Sequence, residues 1–352
     1  MSQEDPTNHP SRRRLLGGLA VATGAAAVWS AAAAQADEPK KEPKHGAPAD
    51  AQKFWTAEYW AKKGDVSLYM YRKRIGAPKP GEAPKPVLFL SHGSSVSSRP
   101  TFDLTVPGAG EYSLMNVFAR FGFDVWTMDY EGYGRSTVTS GNSDIKSGVE
   151  DLTAATQVIE QQTGLKAFHF FGESSGALRI GAFAMARPDR VDRLVLQAFT
   201  WTGKGSPTLG KRAEQVEFFR THNRRKRDID MIRSIFTRDK PGTSDPRVPE
   251  AMAAAELPFG DTVPTGTYLD MTANLPVVDP EKVLSPVLMV RGEYDGIASE
   301  EDLFGFFQKL PNADRQFVVL AGVAHGATLC INRQVLWHVV HAFLTMPRPL
   351  PI

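Results

Sequence analysis

Short, continuously apolar runs recur along this chain, and most are followed by a stretch with helical spacing. Residues 87–90 (VLFL), 124–128 (DVWTM), 167–171 (AFHFF), 193–198 (RLVLQA), 287–290 (VLMV) and 317–320 (FVVL) each read as a strand. Continuous rather than alternating hydrophobicity marks a strand covered on both faces, the condition inside a parallel sheet. Residues 113–121, 148–162, the stretch ending near Ala186, and 334–344 have helical periodicity instead. Strands alternating with helices predict βαβ units and one doubly wound, mostly parallel sheet with helices on both faces. Residues 66–74 (VSLYMYRKR) alternate and read as an early antiparallel strand.

The rhythm breaks between Thr200 and Lys282, where no buried-strand run occurs. Helical segments are expected at 212–220 and 228–236, folded as an insertion over the carboxyl edge of the sheet. The basic cluster Arg224, Arg225, Lys226 and Arg227 between them reads as a solvated helix end. The insertion also holds Phe218, Phe219, Ile232, Phe236, Phe259, Tyr268 and Met271, enough for an apolar roof over a site, although packing alone would use the same residues. A formal net charge of +2 gives no bulk electrostatic reason to expect a nucleic-acid partner. Cys330 is the lone cysteine, which excludes an intramolecular disulfide and a cysteine-based metal cluster.

The N-terminus has the layout of an export signal. Arg12 and Arg13 precede a weakly apolar, Ala- and Gly-rich stretch, and residues 34–36 (AQA) carry small side chains at both key positions of a cleavage site. Residues 1–36 are therefore expected to be a twin-arginine-like signal peptide, read by the twin-arginine export machinery and removed, giving a periplasmic or secreted protein. The Pro-, Lys- and Glu-rich residues 37–53 are expected to be a flexible linker.

Chemistry concentrates at residues 172–176 (GESSG). A G-x-S-x-G turn between a buried strand and a helix forces its central residue into strained backbone and lifts its side chain clear of the sheet. That residue is Ser174. A serine hydroxyl needs a general base, and the base needs an orienting acid. In this chain order both should follow, each after a later strand. The VLMV strand leads into RGEYDGIAS, offering Asp295 and Glu293, and FVVL leads into AGVAHGATL, offering His325. Loop position favours Asp295, with Glu293 nearer the strand and suited to bonding backbone. His9, His45, His169, His222, His338 and His341 all lie away from such a loop. The oxyanion should be held by backbone N–H groups: one from Ser175, and a second from the SHGSS loop, with Ser94 preferred and Ser95 the alternative. No metal or organic cofactor is required.

Together these motifs resemble those of the α/β-hydrolase superfamily. SHGSS resembles its oxyanion turn, GESSG its nucleophile elbow, RGEYD its acid loop and GVAHG its histidine loop. Asp129, Gly132, Gly134 and Ser136 resemble its D-x-x-G-x-G-x-S signature, which shapes a loop beside the site. The resemblance implies an α/β-hydrolase fold with an eight-stranded sheet, in two core parts at 54–199 and 283–352, and a helical cap at 200–282. Serine at the elbow separates the chain from aspartate-bearing dehalogenases and epoxide hydrolases and from cysteine-bearing dienelactone hydrolases. HGSS in place of HGGG separates it from the hormone-sensitive-lipase-like esterases. The expected activity is hydrolysis of a small carboxylic ester or lactone, with C–C bond hydrolysis or amide hydrolysis as alternatives on the same fold and a non-catalytic binding member, which would need a broken triad, as the alternative of another class. C–C hydrolysis calls for a basic pocket residue, with Arg179 and the insertion's arginines as candidates.

Overall fold

The computed structural model describes residues 53–348. The expected signal segment and all but the last residue of the expected linker lie outside the described residues. The described residues open with an antiparallel hairpin, β1 (Phe54–Lys63) and β2 (Val66–Ile75). There follow β3 (Val87–Ser91), α1 (Ser98–Phe102), α2 (Leu114–Arg120), β4 (Asp124–Met128), α3 (Ile145–Thr163), β5 (Phe168–Glu173), α4 (Ser175–Ala186) and β6 (Val191–Gln197). The inserted segment contains α5 (Pro207–Ala213), α6 (Val216–Thr221), β7 (Arg224–Lys226), α7 (Ile229–Thr237), α8 (Arg247–Glu256), β8 (Thr262–Pro264) and α9 (Gly266–Leu269). The core resumes with β9 (Val287–Gly292), α10 (Glu300–Lys309), β10 (Arg315–Leu320) and α11 (Arg333–Leu344).

Eight strands form one sheet in the order β1-β2-β4-β3-β5-β6-β9-β10. All pairings are parallel from β4 to β10, and β1 and β2 are antiparallel additions at one edge. Every residue of β3 and β4 is buried, as their unbroken apolar runs require. The chain passes from β3 outward to β4 and then back to β5 on the other side of β3. That reversal opens a crevice at the carboxyl ends of β3 and β5, the place where open α/β sheets bind ligands. Ser91 pairs with Gly172 there, so the SHGSS loop and the elbow leave the sheet side by side.

The insertion departs from the expected layout. Ser206 caps α5, accepting from the Leu209 N–H at 3.0 Å, and Pro207 fills the first helical position. That helix then ends near Glu214, so the single helix expected over 212–220 is two. The basic cluster is not a helix end. Arg224–Lys226 form β7, antiparallel to β8. A strand alternates its side chains, so Arg225 and Arg227 turn inward and are buried while Lys226 stays in solvent. Arg227 pairs with the fully buried Glu256 of α8. α7 and α8 place Ile232, Phe236, Val248 and Met252 against Val96, Leu104 and Leu329, seating the cap over the crevice. No helix among the described residues is long and apolar enough to cross a membrane.

Candidate active site

Two glycines make the elbow possible. A Cβ on Gly172 would lie 2.6 Å from the Gly176 carbonyl oxygen, and one on Gly176 would run into the Ser91 and His92 carbonyls. Strand and helix can approach this closely only without those side chains. Ser174, between them, has φ 58° and ψ −124°, a conformation that costs about 1–3 kcal/mol for a non-glycine residue and recurs at functional sites. α4 begins at Ser175; the Ala177 N–H turns back to the Ser174 carbonyl at 2.9 Å, while the N–H groups of Ser175 and Gly176 lie ahead of the intrahelical ladder.

The expected acid and base meet. Asp295 follows β9, His325 follows β10, and His325 Nδ1 lies 2.8 Å from Asp295 Oδ1. The same carboxylate oxygen accepts the Ile297 N–H at 3.0 Å. Burial pushes the Asp295 carboxyl up, but His325 and these hydrogen bonds outweigh burial and hold it below the usual carboxylate range. Glu293, the alternative acid, turns away and accepts the Gly322 N–H at 2.7 Å. Gln197, at the end of β6, donates to the His325 carbonyl at 3.0 Å and fixes the histidine loop. Ser174 and His325 line one cavity. No hydrogen bond joins them among the described residues, a separation common in unliganded sites.

The SHGSS loop closes the other side. A Cβ on Gly93 would sit 3.3 Å from the Ser174 Cβ, so this backbone passes directly over the serine. His92 is buried, accepts the Tyr130 N–H at Nε2, and therefore carries its proton on Nδ1, which donates to the Gly93 carbonyl at 2.8 Å. Burial and the Arg179 charge lower His92 to about 3, keeping it neutral. The Ser94 carbonyl accepts from Tyr133 at 3.0 Å and from Arg225 at 2.9 Å. The Ser94 hydroxyl donates to the Ser175 hydroxyl at 2.7 Å and accepts from Thr267 at 2.8 Å. Both expected oxyanion residues are thus bonded to each other, and Ser95 lines the cavity beside them.

The signature loop after β4 also takes the expected shape. Asp129 accepts the Ser98 and Arg135 N–H groups at 2.9 Å, and Gly132 and Gly134 have φ of 80° and 49°.

Several residues enter the site that sequence reasoning did not place there. Glu173 lines the cavity, accepts from Thr328 at 2.6 Å, and has its carboxyl pushed up by burial. Asp239, from the cap, brings a carboxylate oxygen within 4.8 Å of ligand atoms on Asp295 and His325. Those three groups could be a metal's donor set, yet the direct 2.8 Å bond between His325 and Asp295 already occupies the imidazole Nδ1. Phe236 and Tyr268 do roof the cavity, as the apolar-roof reading allowed. Ile232 and Met271 are core residues, and Phe218 and Phe219 line a second cavity further out. Arg179 does not face the pocket. It is fully buried on α4, over the Tyr130 ring at 3.9 Å, and donates to the Ser143 carbonyl at 2.7 Å. The cavity's cations come instead from the cap: Arg212 and Arg238.

A mostly parallel sheet of this strand order, with the elbow at its switch point, is that of the α/β-hydrolases, and the chain is a hydrolase of that superfamily. Within it the chain belongs to the serine aminopeptidase S33 family, whose profile matches residues 105–329. No curated protein sequence matches it. Among solved structures, carboxylesterase CesB from Bacillus subtilis is 18% identical, with a TM-score of 0.60, over 84% of this chain and 93% of the other. An E-2-(acetamidomethylene)succinate hydrolase is 17% identical, TM-score 0.59, over 82% and 99%. The 2-hydroxy-6-oxo-6-phenylhexa-2,4-dienoate hydrolase of Rhodococcus sp. strain RHA1 is 17% identical, TM-score 0.57, over 83% and 99%. At these identities the likeness is one of fold.

Proposed function

We propose that this chain is a serine hydrolase that cleaves a carboxylic ester or lactone through an acyl-enzyme on Ser174. The observation that carries the reading is the bond between His325 Nδ1 and Asp295 Oδ1, in a cavity that Ser174 shares. With Nδ1–H donating to Asp295, Nε2 is the free base of the imidazole. It takes the Ser174 proton as Oγ attacks the carbonyl carbon, and Asp295 stabilises the imidazolium that forms. The carbonyl oxygen becomes an oxyanion held by the N–H of Ser175 and an N–H of the Ser94–Ser95 segment. His325 then gives its proton to the leaving oxygen. Water, deprotonated by the same imidazole, attacks the acyl-enzyme and regenerates Ser174. A hydrolysis panel of short acyl esters, aryl esters and lactones tests the reading. Turnover of at least one class, abolished in Ser174→Ala, is expected, and turnover unchanged in that variant refutes it.

C–C bond hydrolysis of a carboxylate-bearing diketone or dienone is the second reading, supported by the cap arginines that line the cavity. Export through a twin-arginine signal is also part of the proposal, on the residue pattern of 1–36. N-terminal sequencing of the protein recovered from its source tests it: a start at Asp37 is expected, and an intact Met1 terminus contradicts it.

A further inference from the structure

Two guanidinium groups of the cap lie over one tyrosine ring, and a third, Arg238, lines the same cavities. The carbons at the centres of the Arg212 and Arg225 guanidinium groups each lie 4.0 Å from the centroid of the Tyr268 ring. Arg212, Arg238 and Tyr268 line both the cavity that holds Ser174 and the larger cavity outside it, so they form the wall between the two. Arg225 lines the outer cavity. Like charges this close repel, and a fold retains them where opposite charge answers them. Arg238 has Asp239, with Nε 3.4 Å from the carboxylate. Arg212 and Arg225 have no carboxylate within ion-pair distance among the described residues. Arg212 approaches only the Met271 sulfur, at 4.0 Å, and Arg225 spends one nitrogen on Ser94 and Ser95 while its buried Nε has no partner. Burial and the charges of Arg238 and Arg225 lower Arg212 to about 10, which reflects the crowding.

We infer that this wall is a carboxylate-binding subsite: the substrate carries a carboxylate that docks between Arg212 and Arg225, beside Tyr268, while its reacting carbonyl lies at Ser174. Two guanidinium forks on one ring suit a planar, singly charged carboxylate better than a compact ammonium would. The inference rests on Ser174 as the attacking residue only for where the carbonyl lies; anion binding at the wall stands without it.

The test therefore uses binding. Ser174→Ala is titrated calorimetrically with succinate, glutarate and adipate, each beside its uncharged diamide, and again with Arg212→Gln or Arg212→Lys added. At least one dicarboxylate is expected to bind roughly 10-fold or more tightly than its diamide. Arg212→Gln should bring the two within about 2-fold of each other, and Arg212→Lys, which keeps the charge, should retain part of the preference. Equal binding of acid and diamide at all three lengths, or a preference undiminished in Arg212→Gln at an unchanged thermal midpoint, overturns the subsite. If dicarboxylates bind as expected while ester turnover survives Ser174→Ala, the subsite stands and the proposed nucleophile falls.

Discussion

Arg225 of the cap donates to the carbonyl oxygen of Ser94 at 2.9 Å, across 131 residues of chain. This bond, with the Tyr133 hydroxyl on the same oxygen, fixes the orientation of the peptide that follows Ser94 and so aims the N–H of Ser95. The cap therefore helps to hold the loop proposed to supply an oxyanion N–H. Arg225→Met should lower kcat on an uncharged ester roughly 10- to 100-fold, the size expected for a small misplacement of a positioning group. KM on that ester should change little, because the lost contact is to the enzyme's own backbone. Steady-state kinetics separates the two parameters, and a rise in KM alone would place Arg225 on the substrate.

Asp295 and Glu293 sit two residues apart and do different work. Asp295 holds the imidazole, whereas Glu293 caps the Gly322 N–H. Asp295→Asn should cost roughly 10,000-fold in kcat by presenting the wrong tautomer of His325. Glu293→Gln should stay within a few-fold. Comparable losses in the two variants would remove the distinction between them.

Tyr268 supplies a pH dependence. Burial pushes its phenol up, but the charges of Arg212 and Arg225 and a hydrogen bond to Ser95 outweigh burial and bring it down to about 7. Below that pH the phenol is neutral and the wall keeps its full positive charge. Above it the phenolate cancels one guanidinium, so a carboxylate ligand binds less well. KM for a carboxylate-bearing ester should rise as pH passes upward through about 7. In Tyr268→Phe that rise should vanish, while Arg238, Asp239 and the Arg pair remain. A rise of the same size in both proteins would assign it to another group.

How far the sequence carries depends on whether a signal is local. The elbow needs a strand, two glycines and a helix within thirteen residues, all contiguous, so Ser174 can be read directly. Asp295 and His325 follow because each lies just past a continuous apolar strand. β1 escaped because an edge strand buries one face only, and its aromatic residues Trp55 and Trp60 remain partly in solvent. β7 and β8 escaped because strands this short carry no pattern, and a run of four cations reads as surface when only charge is considered. The contacts of Arg212, Arg225 and Asp239 with the site are set by how the cap folds back. No spacing in the sequence encodes that.

Arg227 and Glu256 form a buried ion pair inside the cap. Both side chains are buried, and Glu256 also accepts the Ser97 N–H of the core at 3.0 Å. Replacing one member leaves the other charge without its partner, which costs about 3–5 kcal/mol in buried pairs. Arg227→Met should show that loss in chemical denaturation. The loss should shrink as pH falls: burial pushes Glu256 up to about 7 even with Arg227 beside it, removing Arg227 raises it further, and protonation removes the stranded charge. Unchanged stability in Arg227→Met would mean that the pair is replaceable by packing.

The Ser174 hydroxyl, activated by His325, is the proposed attacking group. A fluorophosphonate probe reacts with an activated serine and not with the many other hydroxyls of the chain. Incubated with the intact protein, it should add once, and peptide mass spectrometry should find the adduct on Ser174. The adduct should be absent in Ser174→Ala and strongly reduced when His325 is replaced by Ala. Labelling that persists undiminished in Ser174→Ala, or an adduct on Ser175 or Ser94, would rule out Ser174 as the nucleophile.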